Sequence, residues 1–245
     1  MNLIFCVRER DFTKICSREN SVTSKSKLLL QSDEVFIDCI TIENKLLCLN
    51  STGILFIYDI VSDDISNKNI KLFFNNKLQL PYNETNYPVW ITKYKETIYS
   101  GNSNSLLHIK IISDTEYTIK IIDMKKVYNS FFVHLNEICC VNMQKCIDTN
   151  YKIISSAIST AGTHYFISSK DCSFILNFDN KAIACKQIEK RNVIKIEEFD
   201  NNIYSVIRTS KGFYLSKINE SHGLITKDIV EIETEFPILC ACIIN

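Results

Sequence analysis

The chain has 245 residues, 46% of them hydrophobic, and a formal net charge of +0 from 28 basic and 28 acidic side chains. This balance predicts a folded protein with a sizeable core, and it excludes a general polyanion binder, which needs uncompensated Lys and Arg. Gly and Pro, at 5 and 3, are too few for collagen-like chains or Gly-rich phosphate-binding architectures. We therefore expect one globular domain over residues 1–245.

Cysteine content and the N-terminal segment indicate the compartment. The apolar residues 3–7 are too few for a signal peptide, and no stretch approaches the ~18 apolar residues that span a bilayer. The 11 cysteines are an odd number, so they cannot all pair within one chain. Most lie in apolar runs such as 138–141 and 238–243, where a free Cys behaves as a small hydrophobe. We expect reduced thiols, no membrane association, and a cytoplasmic or nuclear location.

Short apolar runs rich in Ile, Val, Phe and Tyr predict β-strands along the whole chain. Residues 124–138 fit either a helix, with Val127, Phe131 and Leu135 near helical spacing, or two strands, and both interpretations remain open. The clearest predicted strands, in chain order, are 3–7, 53–60, 106–112, 117–122, 174–178, 203–207 and 213–218.

The predicted strands recur in units of one order: a strand containing Ile, a second strand six or seven residues later, a polar turn and a third strand. At about forty residues and four strands a unit, this repeat predicts an all-β chain, a β-propeller of about five to seven short four-stranded blades. A sandwich or barrel is the alternative. Four units are legible, at 37–60, 89–112, 157–178 and 193–218, and a fifth fits 131–141.

The sequence does not decide how the ring of blades closes. Residues 3–7 and 238–244 can complete one shared blade, which would close the ring within the chain. An incompletely closed propeller would instead leave a strand edge that a partner must cover.

Two third strands end in an aromatic residue followed by Asp, at Tyr58-Asp59 and Phe178-Asp179. Polar turns precede these strands, at 51–53 and 169–171. The units thus resemble WD-repeat blades, in which the third strand typically ends in Trp-Asp. No unit begins with that family's Gly-His pair. The resemblance, over residues 35–220, therefore implies a propeller without most of the His–Asp hydrogen bonds of typical blades.

A second, weaker resemblance is to the regulator-of-chromosome-condensation family. It rests on Ala161-Gly162 with His164, and on Thr209 leading through Gly212 into an aromatic strand. That family is rich in Gly, unlike this chain. The resemblance implies an alternative function as an exchange factor for a small GTPase.

Signatures of catalysis, cofactors and metals are absent from the sequence. It contains no G-x-G-x-x-G, G-x-x-x-x-G-K-[ST] or G-x-S-x-G motif. The four histidines, including His108 in a predicted strand, form no zinc-binding pair, and no two cysteines have C-x-x-C spacing. Cys240 and Cys242 share a strand face, which suits core packing. We expect no enzymatic activity, no cofactor, no metal site and no small-molecule substrate.

Four residues are candidates for partner binding. Trp90, shortly after Tyr87, can anchor a partner from a loop or rim, although residues 89–91 also fit a buried strand. Lys190 and Arg191 belong to a basic cluster expected on a loop between blades. The other members of that cluster are Lys181, Lys186 and Lys195.

These features predict a non-catalytic protein–protein interaction scaffold, a WD-repeat-like propeller subunit of a larger intracellular complex. Because a fold alone does not give a function, two alternatives remain: the GTPase exchange factor, and a non-catalytic subunit of an RNA-modifying enzyme that contacts RNA around Arg191. We expect protein subunits as partners, with RNA less favoured.

Overall fold

In the computed structural model every regular element among the described residues is a β-strand. Among these residues no helix is long and apolar enough to cross a membrane. The structure describes residues 2–19, 25–62, 70–82, 90–94, 97–101, 105–113, 116–123, 130–134, 137–141, 153–158, 164–169, 173–179, 182–189, 192–199, 202–208, 212–219, 224–233 and 237–244.

The described strands form six sheets, five of four strands and one of two. Sheet 1 has the order β22 (Ile238–Ile244), β1 (Asn2–Glu9), β2 (Phe12–Glu19), β3 (Lys27–Ser32). Sheet 2 is β4 (Phe36–Ile42), β5 (Lys45–Asn50), β6 (Ile54–Ser62), β7 (Ile70–Gln79). Sheet 3 is β8 (Trp90–Tyr94), β9 (Thr97–Gly101), β10 (Ser105–Ile111), β11 (Tyr117–Asp123).

The later part of the chain repeats this arrangement. Sheet 4 is β12 (Ser130–His134) and β13 (Glu137–Val141). Sheet 5 is β14 (Ile153–Ile158), β15 (His164–Ser169), β16 (Ser173–Asp179), β17 (Ala182–Glu189). Sheet 6 is β18 (Asn192–Phe199), β19 (Asn202–Arg208), β20 (Gly212–Asn219), β21 (Leu224–Glu233).

The strands group into two compact units. Unit 1 comprises Met1–Ile122 with Thr234–Asn245, and unit 2 comprises Asp123–Glu233. In unit 1, β4 contacts both β22 and β8, so the first strands of its three sheets adjoin. In unit 2, β14 likewise contacts both β12 and β18. The single domain expected from the sequence stays a prediction.

The structure confirms the repeat. Each of the four legible units forms the first three strands of a four-stranded sheet, and the fourth strand follows in sequence. Within residues 124–138, the described 130–134 form β12 and 137–138 begin β13. The two-strand interpretation is therefore correct there, while 124–129 and 135–136 lie outside the described residues.

Of the two arrangements that the sequence leaves open for its ends, the structure shows the one in which they share a sheet. β1 pairs antiparallel with β22, placing Ile4 opposite Cys242 and Cys6 opposite Cys240. Each of these four residues is buried. Within unit 1, burial of this strand pair ties the two ends of the chain to one core.

Two cores flank sheet 2, because alternate residues of its strands point to opposite faces. On β5, Leu46 and Cys48 join one core and Leu47 and Leu49 join the other. The thiol–aromatic core consists of Ile4, Cys6, Ile15, Phe36, Cys39, Leu46, Cys48, Phe56, Tyr58, Ile70, Leu72, Cys240, Cys242 and Ile244. The aliphatic core consists of Ile40, Leu47, Leu49, Leu55, Ile57, Leu78, Leu80, Ile91, Ile98, Leu107 and Ile109.

Buried polar groups connect the first strands of neighbouring sheets in unit 1. The Thr41 hydroxyl donates to the carbonyl oxygen of Ile243 at 2.6 Å, and Lys93 Nζ donates to the carbonyl oxygen of Thr41 at 2.5 Å. The Asp38 carboxylate accepts a hydrogen bond from the Ile91 amide at 2.9 Å. Because these bonds join β22 to β4 and β4 to β8, they fix how adjacent sheets pack.

Candidate interaction surface

Apolar side chains are exposed on the last strands of the sheets of unit 1. These strands lie at sheet edges, where one side of the backbone has no partner strand among the described residues. The exposed residues on them are Leu28 of β3, Phe73 and Phe74 of β7, and Tyr117 and Ile121 of β11. Apolar groups of this size on an outer edge are typical of protein interaction sites.

Three exposed apolar residues at the edge of sheet 2, Val61, Phe73 and Phe74, are called the rim patch. Phe73 is 53% exposed and Phe74 58% exposed. Phe73 lies opposite Asp59, and Val61 lies opposite Lys71, so Val61 and Phe73 are diagonal neighbours on one face. Aromatic residues on an exposed edge are the residue type that anchors protein interfaces.

The rim patch spans both faces of the sheet edge. A register shift between Ile57 and Tyr58 leaves Asn75 as the extra residue of β7, and Phe74 then lies opposite Tyr58. The Phe74 ring meets the Tyr58 ring edge-on at 5.9 Å. Since consecutive residues of a strand point to opposite faces, Phe73 and Phe74 present an aromatic ring on each face.

Asp59, where WD-repeat blades carry their Asp, lies beside the rim patch. Its carboxylate accepts from Lys45 Nζ at 2.7 Å and from Asn75 Nδ2 at 2.8 Å. These two hydrogen bonds, with that of Lys45 the stronger, hold the pKa of Asp59 below its usual value. Lys45 and Asn75 thus satisfy the carboxylate in a blade whose sequence has no Gly-His pair.

A cleft of about 300 Å³ lies in unit 1 where the β4–β5 turn approaches the end of β10. Its lining includes Glu43, Lys45 and Lys110 together with the exposed side chain of Ile112. Lys45 already binds Asp59. The cleft therefore offers a mixed polar and apolar surface between sheets 2 and 3.

His108 has a packing position in β10. Its ring stacks on Tyr99 with centroids 5.3 Å apart and an interplanar angle of 18°. Burial, together with Lys120 and Lys110, lowers the pKa of His108, which favours the neutral ring at physiological pH. The stacking on Tyr99 gives His108 a structural role in the described part of sheet 3.

The sequence-predicted partner residues fall mostly outside the described part. Trp90 is the first residue of β8 and lies opposite Gly101, and the following Ile91 is buried in the aliphatic core. Tyr87, Lys190 and Arg191 lie outside the described residues. The role of these four residues in binding therefore stays a prediction.

The loop location expected for the basic cluster is wrong for two of its members. Lys186 lies in β17 and Lys195 in β18, because both segments complete four-stranded sheets. The intervening Lys190 and Arg191, and also Lys181, lie outside the described residues.

Sequence reasoning missed the rim patch. Two adjacent aromatic residues followed by two Asn residues in β7 match neither alternating nor continuous burial. Such a pattern is typical of an edge strand that follows three buried ones, and it could have directed attention to Phe73 and Phe74.

A cluster of thiols lies within the thiol–aromatic core between sheets 1 and 2. The Sγ atoms of Cys6, Cys39 and Cys240 all lie within 4.8 Å of one another. Cys48 lies opposite Cys39 in the β4–β5 pair, outside this group of three. Among the described residues, Cys6, Cys39 and Cys240 form the group of sulfur, imidazole or carboxylate donors close enough together to hold a metal ion.

Comparisons with known proteins establish the fold but no family. No family model matches the chain, and a search of curated proteins finds no match. A chain in the crystal structure of a nidogen/laminin complex matches with a TM-score of 0.61 and 11% identity, covering 98% of this chain and 97% of that one. The matched chain is a β-propeller of the YWTD type. This chain is a β-propeller.

Two further structures show the same likeness. A putative 6-phosphogluconolactonase from Bacteroides fragilis matches with a TM-score of 0.57 and 9% identity, covering 92% of this chain and 80% of that one. A chain of the mitotic checkpoint complex, a WD40 propeller, matches with a TM-score of 0.51 and 10% identity, covering 94% and 77%. The predicted propeller fold is confirmed, and the six sheets fall within the expected number of blades.

Proposed function

We propose that this propeller is a non-catalytic scaffold, WD-repeat-like in its organisation, that binds a protein partner within a larger intracellular complex. The observation that carries the proposal is the rim patch, where Phe73 and Phe74 are each more than half exposed on an outer strand. Two of the similar propellers come from protein complexes, nidogen/laminin and the mitotic checkpoint complex, which supports a protein partner.

Burial of the rim patch gives the physical reason for binding. Covering two phenyl rings with a partner removes apolar area from water at about 25 cal/mol per Å². The outer edge of β7, which adjoins no further strand of sheet 2 among the described residues, can also form backbone hydrogen bonds with an added strand. The Asp59–Lys45 ion pair beside it supplies a polar margin, which is the usual anatomy of an interface.

Affinity purification of the tagged native protein, with nuclease added and in moderate salt, tests the proposal. The wild-type chain should retain one stoichiometric protein partner by quantitative mass spectrometry. The double variant Phe73→Thr/Phe74→Thr keeps strand propensity but removes both rings, and we expect at least a tenfold loss of that partner. The matched control is Lys77→Thr, an exposed position on the same strand.

The outcomes separate the functions. A monomeric wild-type chain without a stoichiometric partner would overturn the scaffold, and retention of the partner by the double variant would overturn the rim patch as its site. Stimulated nucleotide release from a small GTPase would favour the exchange factor. RNA binding that weakens steeply with salt would favour the RNA-modifying subunit.

A further inference from the structure

Four cysteines from distant parts of the sequence meet in the thiol–aromatic core. Cys6 and Cys240 are directly opposite each other in the β1–β22 pair, and Cys39 and Cys48 are directly opposite each other in the β4–β5 pair. All four are at most 2% exposed. The register of two sheets therefore places two cross-strand thiol pairs against each other.

The spacing of the sulfur atoms fits a single thiophilic cation. In a tetrahedral zinc site with Zn–S bonds of about 2.3 Å, ligand sulfurs lie about 3.8 Å apart. The Sγ atoms of Cys6, Cys39 and Cys240 are within 4.8 Å of one another, so each pair needs to close by at most about 1 Å. Cys48 lies opposite Cys39 in the β4–β5 pair but outside this group of three, so its sulfur must move toward the others to supply a fourth ligand.

The surroundings do not otherwise favour thiolates. The hydrogen bond with Cys240 acts to lower the pKa of Cys6, but Cys39, Cys48 and burial raise it above its usual value. Burial raises the pKa of Cys48 to about 11. A bound cation lowers the pKa of the thiols that ligate it, so it can hold them as thiolates inside this core.

We propose that Cys6, Cys39, Cys48 and Cys240 form a structural site for a soft thiophilic cation of the zinc class, which joins sheet 1 to sheet 2. Each ligating sulfur forms a bond to the cation as its S–H bond breaks, and four protons pass to solvent for each Zn²⁺ bound. No electron is transferred. Because protons compete for the same sulfurs, affinity falls as pH falls.

Burial determines when the site is filled. The four cysteines are only 0–2% exposed, so a cation enters most readily before β22 pairs with β1. Metal binding therefore accompanies folding. Once closed, the site should resist chelators until the protein unfolds. The cation then stabilises the shared sheet that joins the two ends of the chain.

Refolding of the full chain under reducing conditions tests the site. The denatured protein is refolded with or without Zn²⁺, washed with chelator and passed through gel filtration, and metal per chain is measured by mass spectrometry. We expect one Zn²⁺ per chain and a raised Tm. Refolding with Co²⁺ should give thiolate charge-transfer and tetrahedral d–d absorption bands.

A matched pair of variants on one strand gives the sharpest control. Cys240→Ala should reduce bound Zn²⁺ at least tenfold, whereas Cys242→Ala, two residues along β22 and buried in the same core, should keep one Zn²⁺ per chain. Cys39→Ala should behave like Cys240→Ala. Circular dichroism checks that each variant is folded.

Three results would overturn the proposal: a folded, reduced wild-type chain that retains no Zn²⁺, equal loss of Zn²⁺ in Cys242→Ala and Cys240→Ala, or a disulfide within the cluster that persists under reductant. If Cys240→Ala fails to fold, the wild-type chain still decides the matter. An unchanged Tm after refolding with Zn²⁺ then refutes the site.

Discussion

The two faces of sheet 2 bury similar strands with different chemistry. The aliphatic core on one face is built from Leu and Ile, whereas the thiol–aromatic core on the other includes five cysteines, two Phe and one Tyr. On β5 the two cores alternate residue by residue, with Leu47 in one and Cys48 in the other. Leu47 and Cys48 lie on the same strand and are equally buried, so the two positions differ only in the chemistry of their side chains.

Packing alone does not need this difference. Leu and Ile fill the aliphatic core, and a thiol buries less apolar surface than either side chain. On the thiol–aromatic face, Phe36 and Phe56 meet edge-on at 5.5 Å and supply much of the packing volume. The aliphatic core therefore buries more apolar surface per side chain, whereas the thiol–aromatic core contains the sulfur atoms of the proposed metal site.

The largest expected effect compares Leu47→Ala with Cys48→Ala in zinc-free protein. Leu47 is fully buried, and its truncation should cost about 2–5 kcal/mol of the free energy of unfolding. Cys48 is equally buried, but removal of one sulfur should cost only about 1 kcal/mol. Urea unfolding midpoints, at unchanged m value, measure both.

The exposed Leu28 provides the control, because Leu28→Ala at a 52% exposed position should change the midpoint little. An equal loss of the free energy of unfolding in Leu47→Ala and Cys48→Ala, in zinc-free protein, would contradict the difference between the two cores. If the cysteines bind zinc, the cost of Cys48→Ala should rise when the proteins are refolded with Zn²⁺, while that of Leu47→Ala should not.

Much of the fold was predictable because the inner strands are buried on both faces and have continuous apolar runs. β6 is an example, predicted to within two residues at either end, and the alternating apolar residues of β10 allowed the same accuracy. The outer strand β7 was missed because its exposed Phe73 and Phe74 and its extra Asn75 break the pattern. An edge strand is set by the three strands beside it more than by its own sequence.

The sites were less predictable than the fold. Pairing of residues 3–7 with 238–244 was one of two arrangements open from the sequence, and it places β1 beside β22. That Cys6 lies opposite Cys240 depends on register, and the approach of Cys39 depends on how two sheets pack. Spacing rules such as C-x-x-C detect sites within one loop and cannot detect ligands brought together by four strands.

A smaller effect is expected where Asp38 spans the two cores. Its carboxylate accepts from the Ile91 amide on the aliphatic side and from the Cys39 amide beside the thiols, both at 2.9 Å. Asp38→Ala leaves these buried amides short of an acceptor and should cost about 2 kcal/mol. Thermal unfolding measures it, and Asp38→Asn, which keeps one acceptor oxygen, should lose less; the reverse order would contradict this assignment.

The smallest effect is expected at the exposed end of the same sheet, where Asp59 binds Lys45 outside both cores. The hydrogen bonds of Lys45 and Asn75 lower the pKa of Asp59 in the folded protein. A carboxylate with a lowered folded pKa adds stability above its unfolded pKa and loses it as pH falls through the folded value, here below about pH 4. Because the pair is partly solvated, the contribution should be only a few tenths of a kcal/mol. Asp59→Asn should therefore lower Tm slightly at pH 7, and the difference from wild type should narrow as the pH falls below about 4. A difference that does not narrow over that range would mean that Asp59 acts through packing, and that the polar margin of the rim patch contributes to the core of sheet 2.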